Sequence, residues 1–223
     1  MNRDLARLAG DLIEQHDTWL AQPGWPVSTP TGNGNASGTD LWAWVQANHR
    51  FNSQLWAEED LARRTTVADS EIAANKRAID GFNQARNDAI ERIDEILLLA
   101  LGLVDAESAR GDAPQSKAAA GARLNSETAG SMVDRLSILA LKVHAMRAQS
   151  ERGDADEAHR SAASARLARL QEQRRDLSGC LAALLADAAA GRAYFKVYRQ
   201  FKMYNDPRFN PALVAEQAQQ RKG

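Results

Sequence analysis

LWAWVQANHRFNSQLWAEEDLARRTT, from Leu41 to Thr66, is the stretch whose period decides the fold. At about 100° per residue, the turn of an α-helix, Leu41, Trp44, Val45, Phe51, Leu55 and Ala62 gather on one side. Asn48, Asn52, Glu59 and Arg63 fall near the centre of that same side. A buried polar group without a partner costs about 1–3 kcal/mol. Two amides, a carboxylate and a guanidinium on such a face therefore imply a satisfied internal network, a bound ligand, or both.

The flanks read as helices too. Ala, Leu, Arg, Glu and Gln dominate, and no stretch reads as a half-buried strand. A first helix covers Arg3 to Leu20, with Leu5, Leu8, Leu12 and Trp19 on one stripe. Gln22 to Gly38, rich in Pro, Gly, Ser and Asn, is a long loop, and Thr39 or Asp40 caps the helix that follows. A long third helix starts near Asp69 and runs to about Val104, and Ala106 to Ala122 forms a second loop. A fourth helix spans Ser126 to Ser150, and a fifth runs from Asp156 to Ala190 and ends at Gly191. A sixth carries Tyr194, Val197, Tyr198 and Phe201 and stops before Asp206-Pro207. Asn210 then caps a tail helix with Pro211 at its first position. Such stripes and connections predict an all-α fold, an antiparallel bundle of about six helices in one domain over residues 1–223. Residues 1–38 supply the first helix and its loop, 40–206 the core and 207–223 the tail helix.

The third helix repeats the pattern of the second. Asn75 and Arg86 stand in an arc of Ile72, Ile79, Phe82, Ile90, Ile93 and Leu97. Beside them runs a stripe of Asp69, Lys76, Asp80, Asn83, Asn87 and Asp94. Its plain reading is a solvent border with pairs such as Lys76–Asp80, each worth about 0.2–0.5 kcal/mol. Arg86 calls for a partner on another helix, and Glu59 is the candidate. The fourth helix is apolar nearly all round, which places it centrally. Asp134 and Arg135 are then expected to join the same network, and Lys142 to reach solvent along its stem.

Composition limits the function classes. The 223 residues carry a net charge of −1 and are 44% hydrophobic and 26% charged, ordinary for a globular protein. That balance gives no bias toward nucleic acid, and Ile96 to Val104 is too short for a membrane span. The N-terminus lacks the apolar core of a secretory signal. One cysteine, Cys180, excludes an intrachain disulfide and a thiolate metal cluster and suits the cytoplasm. Arg192, Lys196, Arg199 and Lys202 form a basic ridge opposite the aromatic stripe of the sixth helix, able to meet phosphates or an acidic partner. Of the four histidines, none follows a glutamate by three; Asp156-x-x-His159 is the nearest approach to a metal pair. No cofactor fingerprint, phosphate loop or nucleophile elbow is present, so no cofactor and no metal are assigned.

Four strings, LWAWVQANHRFNSQLWAEEDLARR, KRAIDGFNQARNDAIERID, NSETAGSMVDRLSILALKVHAM and YRQFKMYNDPRFNP, together resemble an uncharacterised bacterial family, domain of unknown function family 4254. The likeness covers about Leu41 to Pro211. DRLSILALK, Asp134 to Lys142, is also similar to short motifs in bacterial proteins associated with glycosyltransferases and surface-glycan assembly. The resemblance implies a bacterial, cytoplasmic, all-helical protein and brings no catalytic roles.

Two functions stand. In one, the protein binds or acts on a small anionic ligand such as a sugar phosphate. Arg63, Arg64, Lys76, Arg86 and Arg135 would meet the anion, and Asn48, Asn52, Asn83 and Asn87 its hydroxyls. The turn bearing Lys202, Tyr204, Asn205 and Asp206 would fold back near Arg63 or Arg86 as a further wall. Any acid–base group would come from His49, Glu59 or Asp60, although a satisfied structural histidine is the plainer reading of His49. In the other, the polar network fixes helix register in a non-catalytic scaffold that docks a protein partner. The sequence does not set the oligomeric state.

Overall fold

The computed structural model describes residues 2–26, 40–200 and 208–220, with side chains from residue 5 onward. Seven helices lie among them: α1 (Asn2–Leu20), α2 (Leu41–Leu61), α3 (Asp69–Ala100), α4 (Ala106–Ala109), α5 (Ala129–Ser150), α6 (Glu157–Ala189) and α7 (Pro211–Gln220). Arg123–Leu124 (β1) and Ala193–Tyr194 (β2) pair in parallel. The all-α bundle read from the sequence is the fold.

Local chemistry sets the helix limits. Asp40, Thr128 and Asp156 cap α2, α5 and α6 by accepting the N–H of Ala43, Ser131 and His159. Asp69 and Glu71 place negative charge at the start of α3. The long helices end alike. At Gly102 and Gly191 the backbone turns left-handed, with φ of 70° at each. Leu103 N–H then reaches Leu98 O, and Arg192 N–H reaches Asp187 O. Glycine suits both positions because it has no Cβ to clash at positive φ.

Two hairpins, α2–α3 and α5–α6, make most of the body, with α1 laid against α5 and α6. The nearly all-apolar α5 is central and touches α1, α2, α3 and α6. The core joins Leu8, Leu12 and Trp19 of α1 to Ile93 and Leu97 of α3, Val133 and Leu136 of α5, and Leu181 and Leu185 of α6.

Over the described residues of this stretch, which stop at Gln200, the sixth helix read from the sequence is not there. After Gly191 the chain turns away, pairs Ala193 and Tyr194 with β1, and runs on without helix to Gln200. Ala193, Phe195 and Val197 are buried while Tyr194, Lys196 and Tyr198 face outward to varying degrees, a period of two. Packing of those three side chains prevails over the weak helical stripe. Two members of the basic ridge are drawn apart: Arg192 pairs with Asp187, and Arg199 turns inward to Glu91 and Glu95, while Lys202 lies outside the described residues.

Candidate functional site

A polar network lies where α2, α3 and α5 meet. Successive turns of α2 deliver Asn48 and Asn52 to one carboxylate: both Nδ2 atoms donate to Asp134 Oδ1 at 2.9 Å. Asn52 Nδ2 also lies 3.0 Å from Ser137 Oγ and 3.3 Å from Asn48 Oδ1. Asn48 is fully buried, Asn52 nearly so, and Asp134 is 8% exposed.

From α3, Arg86 brings its Nε to 3.9 Å from Asp134 Oδ1. That is attraction at ion-pair range without a hydrogen bond, and the buried Nε has no hydrogen-bond partner among the described residues. Asn83 and Asn87 stand three and one residues from Arg86 on the same helix, half-buried.

The network continues inward to a histidine pair. His49 Nδ1 and Ser137 Oγ are 2.8 Å apart. The His49 ring stacks on His16 at 4.5 Å and on Trp25 at 5.3 Å, and Trp25 Nε1 donates to Ser53 Oγ. Burial, helped by the charge of Arg174, lowers the His49 pKa to about 3. Burial first, then the neighbouring His49 and Arg174, holds His16 well below the ordinary histidine value. Both rings are neutral at neutral pH, and neither ring nitrogen of His16 has a partner among the described residues. His49 sits closed off from solvent, in the surroundings of a structural histidine.

The helical phase fails beyond Leu55. From Trp56 to Thr66 only Glu58 and Ala62 are even half-buried, and α2 ends at Leu61, leaving Arg63 past the helix. Glu59 is exposed and pairs with Arg63, so it is not the partner of Arg86; Asp134 takes that place. Asn75 does find another helix, donating to Glu58 Oε2 at 2.7 Å. Arg64 engages Leu61 O and Glu71, Lys76 pairs with Asp80, and Arg135 turns away from the network to Glu127. Asp60 lines a separate hollow with Trp56. His49, Glu59 and Asp60 thus occupy three different surroundings. Lys202, Tyr204, Asn205 and Asp206 lie outside the described residues, as does most of the loop after α1.

Asp94 departs from its solvent-border reading: it is 2% exposed. Its Oδ1 accepts Gly130 N–H at 2.6 Å, at the start of α5. Burial pushes its carboxyl up to about 7, against the hydrogen bonds from Thr128 and Gly130. A Cβ on Gly130 would stand 2.5 Å from Ile90 O, so the close crossing of α3 and α5 needs glycine there.

Sequence reasoning passed over His16, Ser137 and the Arg199 clasp. His16 was visible, standing four residues after Leu12 and three before Trp19 on the buried stripe of α1. Ser137 lies one turn from Asp134 on α5, yet nothing in a helical pattern tells a serine that closes a network from one that faces solvent. Among the described residues, no three His, Cys, Asp or Glu side chains gather as metal donors, and no helix is long and apolar enough to cross a membrane.

Fold and site together define a helical-bundle protein with a buried Asn–Asp–Ser–His network edged by an arginine. The model of a family of proteins of unknown function, DUF4254, matches residues 42–197, and the chain belongs to that family. Compared with the curated proteins and with the solved structures, the chain finds no match.

Proposed function

We propose that the protein binds a small anionic, hydroxyl-bearing ligand, of the sugar-phosphate class, where Arg86, Asn83 and Asn87 edge the Asn48–Asn52–Asp134 network. The observation that carries this reading is the state of Arg86. Its side chain is 26% exposed, it faces Asp134 from 3.9 Å, and its guanidinium makes no hydrogen bond among the described residues. A guanidinium offers five donors in a planar fork, and leaving them unmatched in a half-buried position is costly. Arg63, Arg64, Lys76 and Arg135 each already have an acidic partner. A phosphate would take the free donors of Arg86 in bidentate fashion. The amides of Asn83 and Asn87, also without hydrogen-bond partners among the described residues, would meet hydroxyls.

Binding suits these groups better than acid–base chemistry, because His49 is closed off behind the asparagines. The likeness of DRLSILALK to motifs of surface-glycan assembly makes sugar phosphates of that pathway the first compounds to try. A bacterial cytoplasm is the setting we assign, where the exposed thiol of Cys180 stays reduced.

Isothermal titration with hexose 1-phosphates, the free hexose and inorganic phosphate tests the reading. The hexose phosphate is expected to bind best, and Arg86→Lys to weaken it at least tenfold with the melting temperature unchanged. Absence of saturable binding by the wild type, or an Arg86→Lys variant that binds as well, would overturn it. A second reading, the scaffold, draws on the closed stack of His16, His49, Trp19 and Trp25, which fixes helix register whether or not a ligand binds.

A further inference from the structure

A second hollow, about 570 Å³, opens between the last turns of α2, the second half of α5 and the first half of α6. It shares no residue with the Arg86 locus. Its walls are apolar: Trp56 from α2, Met146 from α5 and Leu170 from α6. Around them stand Lys142 of α5 and Arg166 and Arg169 of α6. We infer that this hollow is a binding site for an aryl phosphate of about mononucleotide size, its ring against Trp56 and its phosphate between Arg166 and Arg169.

Three observations carry the assignment. The cations are unmatched: among the described residues Lys142, Arg166 and Arg169 make no ion pair and no hydrogen bond. Elsewhere on the same two helices three arginines find acids, Arg135 with Glu127, Arg160 with Glu157 and Arg174 with Asp17. Among the described residues Arg147 and Arg175 stand alone on the exposed surface, whereas Lys142, Arg166 and Arg169 gather around one hollow. The one carboxylate in the lining, Asp60, pairs with none of the three and leaves the hollow with a positive excess.

The apolar wall is the second observation. Trp56 is 37% exposed, among the largest side chains the protein leaves in water. An indole beside guanidinium groups makes a stacking platform for a flat ring that carries negative charge. A merely apolar ligand would leave the three cations without a role, and a bare phosphate would leave the indole uncovered.

Spacing and size are the third. Arg166 and Arg169 are three residues apart on α6 and so neighbours on its surface, placing two planar forks side by side for a dianionic group. The volume lies within the range of small-molecule sites, about 300–1,000 Å³. Asp60, on the far wall, would accept a hydrogen bond from a hydroxyl or amino group on the ring.

The test is a titration of the whole protein with 1-naphthyl phosphate, alongside 1-naphthol and inorganic phosphate. The aryl phosphate should bind at least tenfold more tightly than either fragment. Arg166→Ala combined with Arg169→Ala should weaken it at least tenfold, and so should Trp56→Ala. Arg169→Glu, a change on an exposed helix surface, serves as the second variant should Trp56→Ala fail to fold, and it too should lower affinity at least tenfold. Arg86→Lys should leave naphthyl phosphate binding unchanged, which separates this site from the first. No saturable binding up to millimolar probe, naphthol binding as tightly as its phosphate, or unaltered affinity in the Arg166/Arg169 variants would each overturn the assignment. So would loss of binding in Arg86→Lys, which would move the probe to the other locus.

Discussion

Asp134 accepts two amide hydrogen bonds through one oxygen and faces a guanidinium, so its removal strands several buried groups at once. Asp134→Ala is expected to destabilise the fold by about 2–4 kcal/mol, since each orphaned buried donor costs about 1–3 kcal/mol. Glu59→Ala, which breaks an exposed pair one helical turn long, should change stability by less than about 0.5 kcal/mol. Urea melts of the two variants check both. The histidines add a pH dependence. Folded His49 holds its pKa near 3 and His16 is well below 6.5, so the unfolded chain binds more protons in the acid range. Their contribution to stability is therefore complete above about pH 6.5 and falls as the pH drops below it, by up to about 1.4 kcal/mol per pH unit for each ring. Asp94, pushed up to about 7, runs the other way and loses stability as the pH rises toward 7. Comparing wild type with His16→Leu cancels the Asp94 contribution. The variant should show the shallower acid slope and, freed of two unpartnered ring nitrogens, equal or greater stability at pH 7. A steeper slope in His16→Leu would contradict the neutral, buried state of the pair.

At the level of helices and strands, patterning carried the reading wherever a long face packs. α1, α2, α3, α5 and α6 were legible because each buries an apolar stripe several turns long, and Asn48 and Asn52 stood out as polar residues within one. One piece was not legible because its pattern is too short to choose its own period. AYFKVYRQ offers Tyr194, Val197 and Tyr198 at helical spacing and Ala193, Phe195 and Val197 at strand spacing. Burial of Ala193, Phe195 and Val197, together with the pairing of Arg123 with Ala193 and of Leu124 with Tyr194 from opposite ends of α5–α6, selects the second. The tip of α2–α3 misled for a different reason: a periodic face predicts burial only where another element covers it, and burial fades there. The α3–α5 crossing supplies its own test. Gly130→Ala should cost about 1–3 kcal/mol, because the added methyl meets backbone at Ile90 and must separate the helices. Thermal melts read it, and an unchanged melting temperature would show that the crossing has room to open.

Over the whole molecule, the segment after α6 binds distant parts of the chain together. Arg199 donates to Glu91 Oε2 at 2.9 Å, lies 2.6 Å from Glu95 Oε1, and donates to Ala109 O and Gly111 O, while Gln200 N–H reaches Glu91 Oε1. Glu95 is 3% exposed. Arg199→Ala would leave that carboxylate buried with Arg92 as its remaining ion partner, and a loss of about 3 kcal/mol is expected, as for other broken buried pairs. Limited proteolysis should then cut within 193–200 faster than in the wild type. Equal cutting would mean that Phe195 and Val197 hold the segment alone.

The clasp also fixes an order of events during synthesis. Glu91 and Glu95 leave the ribosome about a hundred residues ahead of Arg199, a delay of roughly 5–20 s at ordinary elongation rates. Through that interval α3 can dock on α2, yet Glu91 lacks its guanidinium and Glu95 has only Arg92 of its own helix. The growing polypeptide therefore reaches this packing only after residue 199 has been made, and a ribosome stalled before that residue would display a bundle still open along its acidic edge.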